Sequence, residues 1–143
     1  MLALTIQDIK LASTIVKNGH LPRCVNKLRD NGKYNCWGFT SFALKMVRKI
    51  YWVGSCEMEK RLKTKTKEVR KPKPGDIVVY RGFCYGMPNQ LLHTAVLIDP
   101  KNKVIIHKNG DEPLEMNTVY GTEYTSGRWG NPTVKFRRVK TSA

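Results

Sequence analysis

Four short strand patterns, separated by turn signals, dominate the second half of this chain. They lie at residues 77–80, 92–98, 104–107 and 133–139. The first three are apolar runs, and the last alternates apolar with polar residues. Because connections this short pair neighbouring strands in opposite directions, the sequence predicts an antiparallel sheet.

Helix patterns come before the strands. Periodic apolar residues predict one helix over 5–17 and a second over 37–50, and a third, short helix is predicted over 55–62. The polar, glycine-containing stretch 81–90 predicts a long loop between the first two strands. Helices followed by a strand meander indicate an α+β fold, with the helices packed on one face of a central antiparallel sheet.

The bulk composition limits the size and class of the protein. With 143 residues and 41% hydrophobic content, the chain is long enough for one domain, 1–143, with one core. It has no apolar run of about 18 residues, so we expect no membrane span. The first residues lack the basic and continuous apolar regions of a Sec signal peptide, so we expect cytoplasmic synthesis with mostly reduced cysteines. The even number of cysteines leaves a Cys24–Cys36 or Cys56–Cys84 disulfide open as an alternative.

Positive charge is the strongest compositional signal. The formal net charge is +15, and lysines and arginines concentrate in the stretch 60–73. Such clustering predicts an anionic polymer surface as a partner. Two alternatives stay open. The stretch could belong to a nucleic-acid-binding module held by phosphate contacts, or it could be a solvated edge strand whose lysines block aggregation.

Cys36 lies at the start of the second predicted helix, and His93 and His107 lie on predicted strands far along the chain. A helix N-terminus and a nearby imidazolium both favour a thiolate. We therefore expect Cys36 to be a nucleophile whose pKa is lowered to about 4–7. His93 would be its base, and His107 would orient the His93 ring. The structural alternatives are a buried thiol, a core histidine and a solvent-facing histidine.

No metal or other cofactor is predicted. Neither a cysteine nor a carboxylate lies at ligand spacing beside His93 or His107. The four cysteines contain no C-x-x-C pair: Cys24, Cys36, Cys56 and Cys84. Gly38, two residues after Cys36, predicts a close approach by another backbone segment or by a ligand.

Four sequence elements, in this order, resemble those of the NlpC/P60 superfamily of papain-like cysteine peptidases and amidases, to which the CHAP amidases are closely related. They are the helix start Asn-Cys-Trp-Gly-Phe at 35–39, the strand opening Lys-Pro-Gly-Asp-Ile-Val-Val-Tyr at 73–80, and the strands 93–98 and 104–107. The family usually has Asp and Ser on either side of the cysteine, so Asn35 and Trp37 are departures from its pattern.

The resemblance implies a papain-like fold and an amidase or endopeptidase. Its catalytic residues would be Cys36, His93 and His107, with the backbone N–H of Cys36 as an oxyanion donor. It also implies a peptide of bacterial peptidoglycan as substrate, and an anionic wall suits a basic protein. The alternative with the same thiol chemistry is a protease, deamidase or acyltransferase with an intracellular target.

Small basic amidases of this kind resemble phage lytic proteins, or effectors that are delivered to the cell wall without a Sec signal. An immunity or inhibitor protein is then a further expected partner. Four residues are candidate substrate contacts: Tyr34, Asn35, Trp37 and Tyr85. For the aromatic side chains, packing in the core is an equally good interpretation.

Overall fold

The computed structural model describes residues 34–110 and 114–140, which form two α-helices followed by six strands. The helices are α1 (Cys36–Ala43) and α2 (Ser55–Lys65). The strands are β1 (Thr66–Val69), β2 (Ile77–Cys84), β3 (Met87–Asp99), β4 (Val104–Lys108), β5 (Leu114–Thr118) and β6 (Thr133–Val139). Three 3₁₀ turns lie between β5 and β6: Val119–Gly121, Glu123–Thr125 and Gly127–Trp129.

The strands form one antiparallel sheet in the order β1-β6-β2-β3-β4-β5. From β2 to β5 each strand pairs with the next one along the chain, because short turns leave no room for a parallel crossover. The last strand, β6, inserts between β1 and β2. The predicted α+β class, with helices ahead of an antiparallel sheet, is confirmed.

The sheet is buried on both faces. On one face Val79 lies opposite Thr94, and this face receives both helices. On the other face Tyr80 lies opposite His93, and Val119 from the turns after β5 packs there. Because successive strand residues point to opposite faces, Thr94 faces the helices and its neighbour His93 faces the turns after β5.

Helix α1 is fixed on the sheet by its apolar face. Phe39, Phe42 and Ala43 are buried against Val96 and Ile98 of β3. Complete burial of a large apolar side chain stabilises a fold by about 1.5–3 kcal/mol, so these contacts are enough to hold a short helix in place. The first residue of α1 is therefore held at a defined position above the sheet.

Helix α2 packs through Met58 and Leu62 against Ile77. It runs to Lys65, one turn beyond the predicted end, and β1 follows without a gap. The basic stretch 60–73 therefore divides between the exposed end of α2 and an edge strand of the sheet. The sequence showed the positive charge of this stretch but not the point where the helix becomes a strand.

Helix α1 ends earlier than its sequence pattern predicts, at Ala43 instead of residue 50. Lys45 adopts a left-handed conformation with φ 58°, and the N–H of Met46 donates to the carbonyl of Ser41 at 2.8 Å. This is the hydrogen-bond pattern of a helix C-terminus that turns away from its axis. The turn brings Met46 into the core beside α2, and that burial outweighs continued helix periodicity.

The predicted loop over 81–90 is wrong, because β2 and β3 continue through it as a hairpin. Only Tyr85 and Gly86 form the turn, and both have positive φ, 53° and 73°. Two successive residues with positive φ make the type I′ turn, whose twist matches that of paired strands. Irregular register after Tyr80 disguised the strand alternation in the sequence.

Part of the sequence interpretation falls outside the described residues, including the predicted helix over 5–17 and Cys24. The single domain 1–143 likewise stays a prediction. Among the residues that the structure does describe, no helix is long and apolar enough to cross a membrane.

Candidate active site

Asn35 shapes the start of α1. Its Oδ1 accepts hydrogen bonds from the backbone N–H groups of Gly38 at 3.0 Å and Val53 at 3.1 Å, and its Nδ2 donates to the Val53 carbonyl at 2.8 Å. The first bond satisfies one of the unpaired N–H groups at the helix start. The other two tie the segment before α2 to the residue preceding Cys36.

We predict that Asn35→Ala destabilises the fold by about 2–3 kcal/mol. The lost helix cap contributes about 1 kcal/mol, and the buried groups of Val53 that lose their partners contribute the rest. The free energy of unfolding from urea titration measures this effect. Asn102→Ala, in an exposed turn, is the control and should shift it by less than about 0.5 kcal/mol. Equal effects of the two substitutions would contradict this role.

Gly38 allows another part of the chain to pass close to Cys36. A Cβ atom added at Gly38 would lie 2.0 Å from the carbonyl oxygen of Tyr51. No side chain larger than hydrogen fits there without a backbone shift. The close approach that the sequence predicted at this glycine is confirmed.

The start of α1 contacts β3 where the pairing of β3 with β4 ends. The pairing begins at the pair Asp99–Val104 and ends at the pair Val96–Ile106. Just beyond this point Thr94 reaches α1. Its hydroxyl shares a 2.8 Å hydrogen bond with Thr40 and lies 3.5 Å from the Cys36 carbonyl. Cys36 is thus held beside the residue that follows His93.

Burial controls the acidity of the Cys36 thiol. Cys36 is only 7% exposed. Removal from water raises the pKa of Cys36 to about 12. Backbone N–H groups of Thr94 and Trp37, and the positive charge of Lys108, act in the opposite direction but do not compensate. The expected lowering of the thiol pKa is therefore wrong for this arrangement.

His93 and His107 lie on the same face of the sheet and contact each other. Their atoms Nε2 of His93 and Nδ1 of His107 are 2.7 Å apart, and both rings are buried. Burial and then the neighbouring His107 charge hold the pKa of His93 well below its ordinary value. Burial lowers the pKa of His107 to about 4. At neutral pH both rings are therefore uncharged, and one proton lies between the two nitrogen atoms.

The second ring nitrogen of His93, Nδ1, is buried and has no hydrogen-bond partner among the described residues. The ring itself is enclosed by aromatic side chains. Tyr124 stacks on it at a centroid distance of 4.2 Å and an angle of 11°, and Tyr80 lies at 5.7 Å. The hydroxyl of Tyr124 donates a hydrogen bond to Oδ1 of Asn109. These contacts restrict rotation of the His93 ring.

Sequence reasoning missed Tyr124 and Glu115. Tyr124 lies in a polar, glycine-containing stretch with no periodic signal, and only the fold brings it to His93. Glu115 lies opposite His107 in the β4–β5 pair, with Oε1 2.9 Å from Nε2 of His107. The register of β5 could have indicated this contact, but its sequence is too short and irregular to assign a register.

The four candidate substrate contacts are not brought together. Tyr34 is fully buried in the core, with Nζ of Lys108 4.8 Å from its ring centroid, and Asn35 is occupied as a helix cap. Trp37 is half-buried beside α2. Tyr85 is 97% exposed at the hairpin tip, six strand residues beyond His93, which corresponds to about 20 Å.

The described residues contain no group of three or more His, Cys, Asp or Glu side chains that could hold a metal ion. The chemical groups gathered here are instead a thiol at a helix start, a pair of hydrogen-bonded imidazoles and a carboxylate. A thiol and a base whose orientation is fixed are the groups used in nucleophilic catalysis.

Comparisons with known proteins identify the family of the chain. The sequence model of the NlpC/P60 family matches residues 19–138. Neither the curated proteins nor the solved structures gave a match. The matched region covers most of the chain and includes both helices, strands β1 to β5 and all of β6 except its last residue. The chain therefore belongs to the NlpC/P60 family, whose members are cysteine peptidases and amidases.

Proposed function

We propose that this enzyme hydrolyses amide bonds in the peptides of bacterial peptidoglycan, with Cys36 as nucleophile, His93 as base and His107 as the residue that positions His93. The observation that carries the proposal is the 2.7 Å contact between the buried rings of His93 and His107, together with the position of Cys36 beside Thr94, the residue that follows His93. The family supplies the reaction class, and the peptidoglycan substrate is the finer part of the proposal.

The first half of the reaction begins with both groups uncharged. Nδ1 of His93 takes the proton of the Cys36 thiol as the sulfur attacks the carbonyl carbon of the scissile amide. The S–H electron pair forms the new S–C bond, and the carbonyl π electrons move to the oxygen. Backbone N–H groups at the start of α1 can donate to that oxyanion. The proton then passes from His93 to the leaving amine, and a thioester to Cys36 is left.

Water completes the cycle. Nδ1 of His93 takes one proton from water, whose oxygen attacks the thioester carbonyl and releases the acid. The proton then returns to the sulfur of Cys36. In both halves His93 becomes an imidazolium only transiently, because its buried site disfavours a permanent charge. The stacked ring of Tyr124 lies where it can stabilise that transient cation.

The test of the proposed substrate is digestion of purified muropeptides. Wild type and Cys36→Ala are incubated with stem and crosslinked muropeptides in buffer containing EDTA, and product masses are read. We expect the wild type to split an amide bond with the gain of one water and Cys36→Ala to leave the substrate intact. If neither protein changes the muropeptides but the wild type cleaves a protein substrate, the peptidoglycan assignment is wrong and the thiol chemistry stands.

The raised thiol pKa predicts the pH dependence of alkylation at Cys36. A group whose pKa is about 12 is almost entirely neutral near pH 7, and its reactive thiolate increases about tenfold per pH unit above that. Iodoacetamide labelling of the free enzyme, mapped by peptide mass, should therefore accelerate steadily from about pH 7 to pH 10. The exposed Cys56 is the internal reference and should react faster. A rate at Cys36 that is constant between about pH 6 and pH 8 would mean that a stable thiolate is present.

The stretch 60–73 is predicted to bind an anionic surface and not the scissile bond. β6 and β2 separate β1 from β3, which carries His93. Exchanging four exposed lysines of this stretch for glutamine should weaken binding to sacculi and flatten its salt dependence. They are Lys63, Lys67, Lys71 and Lys73.

Turnover of a small soluble peptide should stay within about twofold, because exposed charges at this distance are screened. The control removes four exposed lysines elsewhere: Lys45, Lys49, Lys101 and Lys103. Equal loss of binding in the two variants would show that net charge matters and this stretch does not. Tight binding to nucleic acid with no binding to sacculi would favour the nucleic-acid alternative.

A further inference from the structure

We propose that Glu115 is a positioning residue that sets the tautomers of both active-site histidines and so leaves Nδ1 of His93 free to accept the thiol proton. The inference rests on the proposed function and adds a fourth member to the Cys36, His93 and His107 arrangement. It is carried by two contacts in series, from Glu115 to His107 and from His107 to His93.

Glu115 reaches His107 from the adjacent strand. The two residues are direct partners in the β4–β5 pair, so their side chains emerge on the same face of the sheet. Oε1 of Glu115 lies 2.9 Å from Nε2 of His107, and the two side chains are 13% and 1% exposed. The two atoms are within ion-pair distance but do not meet the geometry of a full hydrogen bond, so the contact is mainly electrostatic.

A carboxylate this close fixes the position of the proton on His107. If Nε2 carried a lone pair, two electron-rich atoms would be 2.9 Å apart in a buried site, with no proton between them. The proton therefore belongs on Nε2 of His107, and Nδ1 of that ring keeps its lone pair. A neutral imidazole has one donor and one acceptor, so each assignment determines the other.

The tautomer of His93 follows from that of His107. Because Nδ1 of His107 is an acceptor, the 2.7 Å contact requires Nε2 of His93 to donate its proton. Nδ1 of His93 then holds the lone pair that a general base needs. The reverse tautomer of His107 would place a proton on Nδ1 of His93, where the thiol proton could not be accepted.

The carboxylate also stabilises the positively charged intermediate of the reaction. When His93 takes the thiol proton, the ring becomes a cation in a buried site, which is unfavourable. Its Nε2–H still donates to His107, and the negative charge of Glu115 lies on the far side of that ring. The thiol proton moves only to His93, so no further proton transfer is required.

The direct test is ¹⁵N NMR of histidine-labelled protein, since ring nitrogen shifts distinguish a protonated from an unprotonated nitrogen. The chain has three histidines, His20, His93 and His107, so the ring signals can be assigned by single substitutions. Wild type should show both active-site rings protonated on Nε2. Glu115→Leu should give His107 a mixture of tautomers, and Glu115→Gln, which keeps the volume, should give a smaller shift of the same kind.

Kinetics supply the second measurement. Glu115→Leu should lower kcat by about 10- to 100-fold with KM nearly unchanged, a smaller loss than that expected for removal of His107, which contacts the base directly. Glu68→Gln is the matched control, since Glu68 lies on the far strand β1 and is an exposed carboxylate paired with Lys135 of β6. It should change neither the histidine signals nor kcat.

Two outcomes would overturn the role of Glu115. One is a wild-type His107 protonated on Nδ1, which would mean that Glu115 is itself protonated and donates. The other is a pair of histidine signals that Glu115→Gln and Glu115→Leu leave unchanged. The tautomers are read without substrate, so this result is independent of the proposed function. Failure of that function would appear separately, as equal inactivity of wild type and Cys36→Ala on muropeptides.

Discussion

Cys36→Ala is expected to reduce amide hydrolysis by about 10⁴-fold or more, because it removes the atom that bonds to the substrate carbonyl. His93→Ala should have a similar effect, since a neutral thiol with a pKa of about 12 cannot attack without a base. Loss of either member of such a unit removes most of its catalysis, so the double variant should be little worse than each single one. Initial rates on a purified muropeptide measure all three.

His107→Ala should be milder and leave weak residual activity, because it removes the orientation of the base and not the base itself. Cys56→Ala is the matched control, an exposed cysteine that should leave the rate unchanged. Near-normal hydrolysis by Cys36→Ala would exclude Cys36 as the nucleophile. Unchanged activity of His107→Ala would show that the aromatic contacts of Tyr80 and Tyr124 alone orient His93.

Gly38→Ala is expected to destabilise the fold by about 3 kcal/mol or more. The new Cβ would lie 2.0 Å from the carbonyl oxygen of Tyr51, and this clash can be relieved only if the backbone of α1 or of residue 51 moves. The shift would also disturb Asn35, whose Oδ1 lies 3.3 Å from the same point and caps α1. A large fall in the urea midpoint with an unchanged m-value is the expected result.

Gly54→Ala is the control for that experiment. Gly54 precedes α2 with φ −77°, and a Cβ added there meets no atom within 4 Å. Its replacement should change the stability by less than about 1 kcal/mol, because the reduced freedom of the unfolded chain is opposed by the preference of a helix N-cap for glycine over alanine. If Gly38→Ala is tolerated as well as Gly54→Ala, the backbone at Tyr51 does not pass Gly38 as closely as described.

Local sequence signals were sufficient for the elements that carry the site. Periodic apolar residues indicated a helix with Cys36 at its start, and apolar runs indicated the central strands. Each depends on the chemistry of a few adjacent residues, which a sequence displays directly. The hairpin over 81–90 depends instead on strand pairing, and the early end of α1 depends on burial of Met46. Both are tertiary interactions, which a local sequence pattern does not display.

The acidity of the site depends on burial as well as on local structure. A helix start beside a histidine favours a thiolate, and the N–H groups that do so are present. How completely the fold removes Cys36 from water is a property of the packed structure. This burial raises the pKa of the thiol, whereas the local structure alone would lower it. The partners of His93 and His107 could not be predicted for a related reason. Tyr124 reaches His93 only through the turns after β5, and Glu115 reaches His107 only through the register of β5.

The central claim is that Cys36 catalyses the addition of water to an amide bond. The most direct measurement is muropeptide digestion in water enriched with heavy oxygen, followed by mass analysis of the products. We predict that the wild type puts one heavy oxygen into the new carboxylate of each cleaved peptide and that Cys36→Ala yields no such product. Labelled product from Cys36→Ala at the wild-type rate, or a wild-type product that carries an acceptor amine in place of the heavy oxygen, would contradict the account.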